Sequence, residues 1–268
     1  MAWDWREGFL DFVLATARGA STLRNRFRLI HADLPRPKCK ERISLKSGSR
    51  ILDGRFVPGE KGKPVVLICH GIGDTLDMWD AAQSVFEGRG IGSMVFNYSG
   101  YGKSTGRVRV QHYGEDFSVA YEELLLRVEA DTPVFVLGYS LGTGVAAAGV
   151  RNLAKVPAGL FLCSGFTSLR EAGLEIGFPR WLTRCVPDVW NTLDRLAEIG
   201  MPVIVVHSDG DGLFPMKMAE QLAATHGFEL ITSHGFSHSA PLFQVAEQYW
   251  SPIAERMLQL GASTYLRG

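Results

Sequence analysis

Three side chains spread over the second half of the chain could together run nucleophilic catalysis: Ser140, Asp211 and His238. A serine hydroxyl is a weak nucleophile until a base takes its proton, an acid orients that base, and backbone N–H groups receive the oxyanion that forms. Ser140 stands in Gly138-Tyr139-Ser140-Leu141-Gly142. With this glycine content Gly-x-Ser-x-Gly would arise by chance in about one sequence in five, so its setting has to carry the argument. Here Val134 to Leu137 favour a strand, and small residues at helical spacing follow the turn. The serine is thereby lifted off a strand end on a sharp turn, over the positive end of the next helix, with the Leu141 N–H aimed at an approaching oxygen. The plainer alternative is a glycine-rich strand-to-helix connection with a solvated serine.

The acid and the base must also sit at strand ends. Asp211 lies just past the apolar run Pro202 to Val206, in His207-Ser208-Asp209-Gly210-Asp211, with Asp209 as its competitor. Turn aspartates commonly do no more than cap or solvate a loop. His238 lies beyond the run Phe228 to Thr232, whereas His234 follows that run almost at once and reads as a supporting histidine. His207 reads as a hydrogen-bonded loop histidine. The second oxyanion donor would be the N–H of Ile72, after His70-Gly71 at the end of the run Pro64 to Cys69, with His70 bracing the loop. The order Ser140, Asp211, His238 is the one expected of such a set on an open parallel sheet.

The elements that must position these residues alternate between strand and helix. Glu41 to Ser47 and Ile51 to Val57 predict an antiparallel hairpin. From Pro64 onward, buried apolar runs (to Cys69, then Ile91 to Tyr98, Gly159 to Cys163 and those above) predict one α/β domain: a mostly parallel central sheet, helices on both faces, active residues at the carboxyl ends of the strands. Helices are expected over residues 76–87, with Asp74 as N-cap, and over 111–130, 216–225 and 241–260.

Composition narrows the function classes. The 268 residues carry 28 basic and 28 acidic side chains, and a net charge of zero gives no footprint for a nucleic-acid partner. Cys39, Cys69, Cys163 and Cys185 are widely spaced, which argues against zinc or a disulfide framework and for a reducing compartment. No clustered metal-ligand spacing or phosphate loop is present, so neither a metal nor a cofactor is expected. Asp4 and Glu7 precede the first short apolar run, unlike a signal peptide, and no run approaches the about 18 residues that span a bilayer. A cytoplasmic protein, membrane-peripheral at most, is the expectation.

The motifs together resemble the α/β-hydrolase superfamily from Glu41 to the end: His70-Gly71-Ile72-Gly73-Asp74, Gly138 to Gly142, His207 to Asp211 with Pro215, and Gly235-Phe236-Ser237-His238. Asn97 to Ser104 and Phe166-Thr167-Ser168-Leu169 are similar to the small-capped branch that includes protein depalmitoylases and bacterial esterases. That resemblance implies an α/β-hydrolase fold, the Ser140–Asp211–His238 triad, acyl transfer to water and no cofactor. The spacing of Asp211 to Pro215 favours Asp211 over Asp209. Asn97, Ser99 and Ser208 depart from the family's usual Asp, Arg and Gly, and the first two bear on substrate preference.

Two segments bear on the substrate. Residues 165–190 are the place for a small cap, with Phe166, Phe178, Trp181 and Trp190 as acyl-pocket candidates; the alternative is that they seal the core. The first 40 residues are not explained by the resemblance. Residues 3–18 place Trp5, Phe9, Phe12, Val13 and Ala17 at helical spacing, for a membrane interface, an acyl chain, a partner subunit or the protein's own domain. The reading is therefore a serine esterase or thioesterase for a small-molecule substrate with an apolar acyl group. Its alternatives are a non-catalytic binding protein on the same fold and an acyltransferase using the same triad.

Overall fold

The computed structural model describes residues 5–30, 34–197, 199–244 and 247–265. Helix α1 (Trp5–Ile30) opens the described chain, and Pro35 and Pro37 follow it. Strands β1 (Glu41–Ser47) and β2 (Arg50–Val57) pair antiparallel, Ser47 opposite Arg50 across a two-residue turn in which Gly48 takes φ 59°. That positive φ gives the turn a twist matching the strands, a conformation glycine adopts without steric penalty.

The alternating part follows as β3 (Val65–Cys69), α2 (Asp80–Glu87), β4 (Gly92–Phe96), α3 (Val110–Leu126), β5 (Val134–Tyr139) and α4 (Leu141–Gly149). Then come β6 (Gly159–Cys163), α5 (Leu169–Glu175), α6 (Arg180–Thr183), α7 (Thr192–Leu196), β7 (Val203–Ser208), α8 (Met216–His226), β8 (Glu229–Ser233) and α9 (Glu247–Tyr265). Among the described residues eight strands form one sheet in the order β1-β2-β4-β3-β5-β6-β7-β8, parallel from β4 to β8. Strands β3 to β7 are buried at every position, which is why they read as unbroken apolar runs rather than as alternation.

Each face of the sheet carries its own core. Tyr113 and Phe117 of α3, Val145 of α4 and Leu222 of α8 pack on one, Phe86 of α2 with Trp250 and Met257 of α9 on the other. Leu10 and Leu14 of α1 join the first core at 2% and 4% exposure, so this helix packs on its own domain, with Phe12 and Leu23 facing outward. Trp3 lies outside the described residues. Asp11 Oδ1 accepts the Val110 N–H at 2.6 Å and so caps α3.

The structure corrects two expectations. The segment 76–87 is a 3₁₀ turn, Leu76–Trp79, running into α2, and Thr75 rather than Asp74 stands at its start. Asp74 is turned inward, its Oδ2 accepting the Gly71 N–H at 2.8 Å, so its carboxylate closes the preceding loop and is not free to cap the helix. The final helix likewise begins later than expected. Ala240–Leu242 is a separate 3₁₀ turn, tied to α9 by Trp250 Nε1 donating to the Pro241 carbonyl at 3.0 Å.

Candidate active site

The site is built from four loops at the carboxyl ends of β3, β5, β7 and β8. Ser140, between β5 and α4, has φ 52° and ψ −119°, a region a residue with a Cβ adopts only when its surroundings hold it there. The two flanking glycines provide the hold. A Cβ on Gly142 would lie 1.9 Å from the Cys69 carbonyl oxygen, and one on Gly138 would lie 2.5 Å from the Gly142 oxygen. Strand β3, the turn and α4 therefore pack at a distance that only glycine permits, and the serine is forced outward.

Ser140 Oγ lies 2.9 Å from His238 Nε2, and His238 Nδ1 lies 2.8 Å from Asp211 Oδ2. The other Asp211 oxygen accepts the N–H groups of Leu213 at 2.9 Å and Phe214 at 3.0 Å. With both oxygens engaged, the carboxylate cannot rotate away from the imidazole. Burial alone would raise the Asp211 pKa, but the hydrogen bond and charge of His238, with those two N–H groups, outweigh it and hold the carboxyl below its usual value. The ring of His238 is seated edge-on against Phe214 at 5.1 Å, and its carbonyl accepts the Tyr139 hydroxyl.

The other sequence candidates take supporting places. Asp209 pairs with His234, Nδ1 to Oδ2 2.7 Å, on the exposed surface. His207 is fully buried, and desolvation lowers its pKa; as neutral imidazole it donates from Nε2 to the Phe214 carbonyl at 3.0 Å and braces the Asp211 loop from behind. His70 is also buried, its pKa lowered by desolvation to about 4, and its Nδ1 donates to the Gly71 carbonyl at 2.8 Å. Gly71 comes so near Ser140 that a Cβ there would stand 3.2 Å from the serine Cβ. This loop carries Ile72, which lines the same cavity as Leu141, the first residue of α4. The Leu141 N–H has no carbonyl four residues back within the helix and is free to meet an oxygen.

A cavity of ≈ 390 Å³ opens onto Ser140 and His238. Phe166 and Phe178 line it, with Leu169, Ile176 and Leu182 from the same stretch. Trp181 and Trp190 do not. In the single turn of α6 successive side chains point about 100° apart, so Leu182 faces in while Trp181 is 69% exposed. Trp190 is buried against Gly144 and stands edge-on to Tyr113 at 5.1 Å, sealing the core. Part of the remaining wall comes from α1, for which an acyl chain is one of several settings its spacing allows: Phe9, Val13, Leu14 and Ala17 line the cavity directly. Their helical spacing was visible, but nothing in the spacing said which surface that face would meet. Asp74 was missed. It lines the cavity, buried, and desolvation holds its carboxyl up to about 7 against the opposing Gly71 N–H bond.

With this geometry in hand, the chain can be set beside known proteins. The family model described as serine aminopeptidase, S33, matches residues 60–194, which include the Gly71 loop and Ser140. An uncharacterized protein of Mycobacterium tuberculosis is 31% identical over 206 residues, 74% of this chain and 72% of that one. A lysophosphatidylserine lipase of Danio rerio is 28% identical over 182 residues, 61% of this chain but only 47% of its own length. Among solved structures, an alpha-beta hydrolase from Vibrio vulnificus superimposes with a TM-score of 0.72 at 18% identity, covering 97% of this chain and 95% of that one.

Proposed function

The chain belongs to the serine aminopeptidase S33 family of α/β hydrolases, and from that premise we propose that this serine hydrolase cleaves a carboxylic ester or thioester of an apolar acyl group through an acyl-enzyme on Ser140. The observation that carries the reading is the unbroken relay from Ser140 Oγ through His238 to Asp211, at 2.9 and 2.8 Å, opening onto a mainly apolar cavity.

In this reading Ser140 Oγ attacks the substrate carbonyl carbon while His238 Nε2 takes the hydroxyl proton. The tetrahedral oxyanion is received by the N–H groups of Ile72 and Leu141. The alcohol or thiol then leaves with the proton held on Nε2. Water, deprotonated by the same nitrogen, attacks the acyl-enzyme and releases the carboxylic acid and Ser140. Asp211 keeps the imidazole in the tautomer that presents a bare Nε2 to the serine and stabilises the imidazolium that forms. The cavity walls favour an acyl chain over a peptide amino terminus. Among the described lining residues Asp74 is the one carboxylate, and it is engaged by Gly71.

The test is Ser140→Ala. The variant should keep the thermal unfolding of the wild type, lose hydrolysis of p-nitrophenyl acyl esters and lose labelling by a fluorophosphonate. A Ser140→Ala protein that still turns over the ester would end the proposal.

A further inference from the structure

The face that α1 turns to the cavity changes character along its length. Phe9, Val13, Leu14 and Ala17 give way to Ser21, Arg24 and Asn25, all of them lining the cavity. From Val13 to Arg24 is about 16 Å along a helix axis. The polar end is fixed beside the reaction centre: Asn25 Nδ2 donates to the Gly73 carbonyl at 3.3 Å, and Arg28 Nη1 donates to the Ser239 hydroxyl at 2.8 Å. It therefore flanks both the loop that carries Ile72 and the residue next to His238. In acyl transfer the histidine hands its proton to the departing oxygen, so groups beside His238 face the leaving group.

From this geometry we propose that the leaving-group side of the pocket takes an anionic alcohol, a hydroxylated phosphate such as glycerophosphate, with Arg24 as its cation and Asn25 as its hydrogen-bond acceptor. The inference rests on the acyl-enzyme reading above. Arg24 is exposed at the cavity and has no ion pair among the described residues. Asn25 is 5% exposed, yet its Oδ1 has no hydrogen-bond partner while its Nδ2 is occupied. A free carbonyl oxygen can only accept, so it pairs with a hydroxyl or amine on the substrate. A guanidinium offers its planar fork to a phosphate. Asp74, the carboxylate that could oppose an anion here, is directed to the Gly71 N–H. An acyl chain along Phe9 and Val13 and a charged alcohol at Arg24 describe a single-chain acyl ester of a phosphate-bearing alcohol.

The experiment compares matched short-chain esters that stay monomeric, so that recruitment to a charged lipid surface plays no part: 1-octanoylglycerol and its 3-phosphate. The wild type should prefer the phosphate by about tenfold in kcat/KM, mainly through KM, and the preference should shrink as salt rises from about 0.05 to about 0.5 M. Arg24→Ala should bring the ratio near one, Arg24→Glu should reverse it, and Arg24→Lys should keep most of it. A wild-type ratio near one, or the same ratio in Arg24→Ala, overturns the proposal. The phosphate ester lacking the 2-hydroxyl should be several times poorer, and equal turnover would overturn the assignment of Asn25. The neutral ester separates the two readings: if its turnover is lost in Ser140→Ala while the phosphate brings no advantage, the leaving-group inference alone has failed.

Discussion

Two aspartate–histidine pairs stand side by side at the ends of β7 and β8, and geometry separates them sharply enough to forecast opposite outcomes from the same substitution. Asp209–His234 spans 2.7 Å and Asp211–His238 2.8 Å, so contact length does not distinguish them. What differs is the other side of each imidazole: His238 Nε2 meets Ser140 Oγ at 2.9 Å, whereas the His234 side chain is 80% exposed. In Asp211→Asn the amide oxygen keeps the place where Leu213 and Phe214 donate, because an NH₂ there would confront two N–H groups. The NH₂ then falls opposite His238 Nδ1. The imidazole must turn a lone pair toward it and carry its proton on Nε2, where it can no longer accept one from Ser140. Losing the correct tautomer and the charge that stabilises the imidazolium should lower kcat by about 10⁴-fold, ~5.4 kcal/mol of barrier. Asp209→Asn should leave kcat/KM within about twofold of the wild type. Turnover of a p-nitrophenyl acyl ester, read beside thermal unfolding to confirm the fold, checks both. Asp211→Asn retaining activity within about tenfold, or Asp209→Asn losing it by about 10³-fold, would refute the assignment.

Three more expectations follow from the same geometry. Burial lifts the Asp74 carboxyl from 3.8 to about 7, so the folded state holds that proton more tightly and this group makes stability fall as pH rises between those values. Asp74→Asn keeps the acceptor for Gly71 without the charge. Its Tm advantage over the wild type should widen from about pH 4 to about pH 7 and then level off, and an offset independent of pH would refute the account. Gly142→Ala drives a Cβ to 1.9 Å from a backbone oxygen and should cost about 4 kcal/mol or more of stability in urea unfolding, whereas Gly114→Ala, with open space around it on α3, should add about 0.5 kcal/mol. Val13→Trp fills the α1 side of the cavity, so the ratio of kcat/KM for dodecanoyl over butanoyl esters should drop about tenfold; an unchanged ratio would place the acyl chain elsewhere.

The sheet was legible because its signal is local. Strands covered on both faces must be apolar at every position, and β3 to β7 are; the turn at Ser140 needs glycine on both sides, and has it. The histidine and aspartate loops could be found because strand ends are where parallel sheets place their polar loops. The pocket could not be read the same way. Trp181 and Trp190 are as apolar as Phe166 and Phe178, and only the phase of a one-turn helix and the return of the chain to α7 decide which of them face the cavity. Asp74 was misplaced for a related reason. An acid ahead of a helical run is equally suited to capping forward or closing the loop behind it, and burial beside Gly71 decides for the second.

The helix least explained by any motif is the one whose position the topology most nearly dictates. All parallel strands of the sheet end on one side, so their loops form a single rim, and an amphipathic helix laid across that rim touches several of them at once. α1 does so: Asp11 holds the start of α3, Arg18 donates to the Gly100 carbonyl after β4, Asn25 donates to the Gly73 carbonyl after β3, and Arg28 donates to Ser239 after β8. These ties are polar, and they add to the packing of Leu10 and Leu14 into the core. The turn at Ser140 follows the fully buried strand β5, while α1, packed on the core through Leu10 and Leu14 and tied to the loops around it, supplies one wall of the cavity that opens onto Ser140.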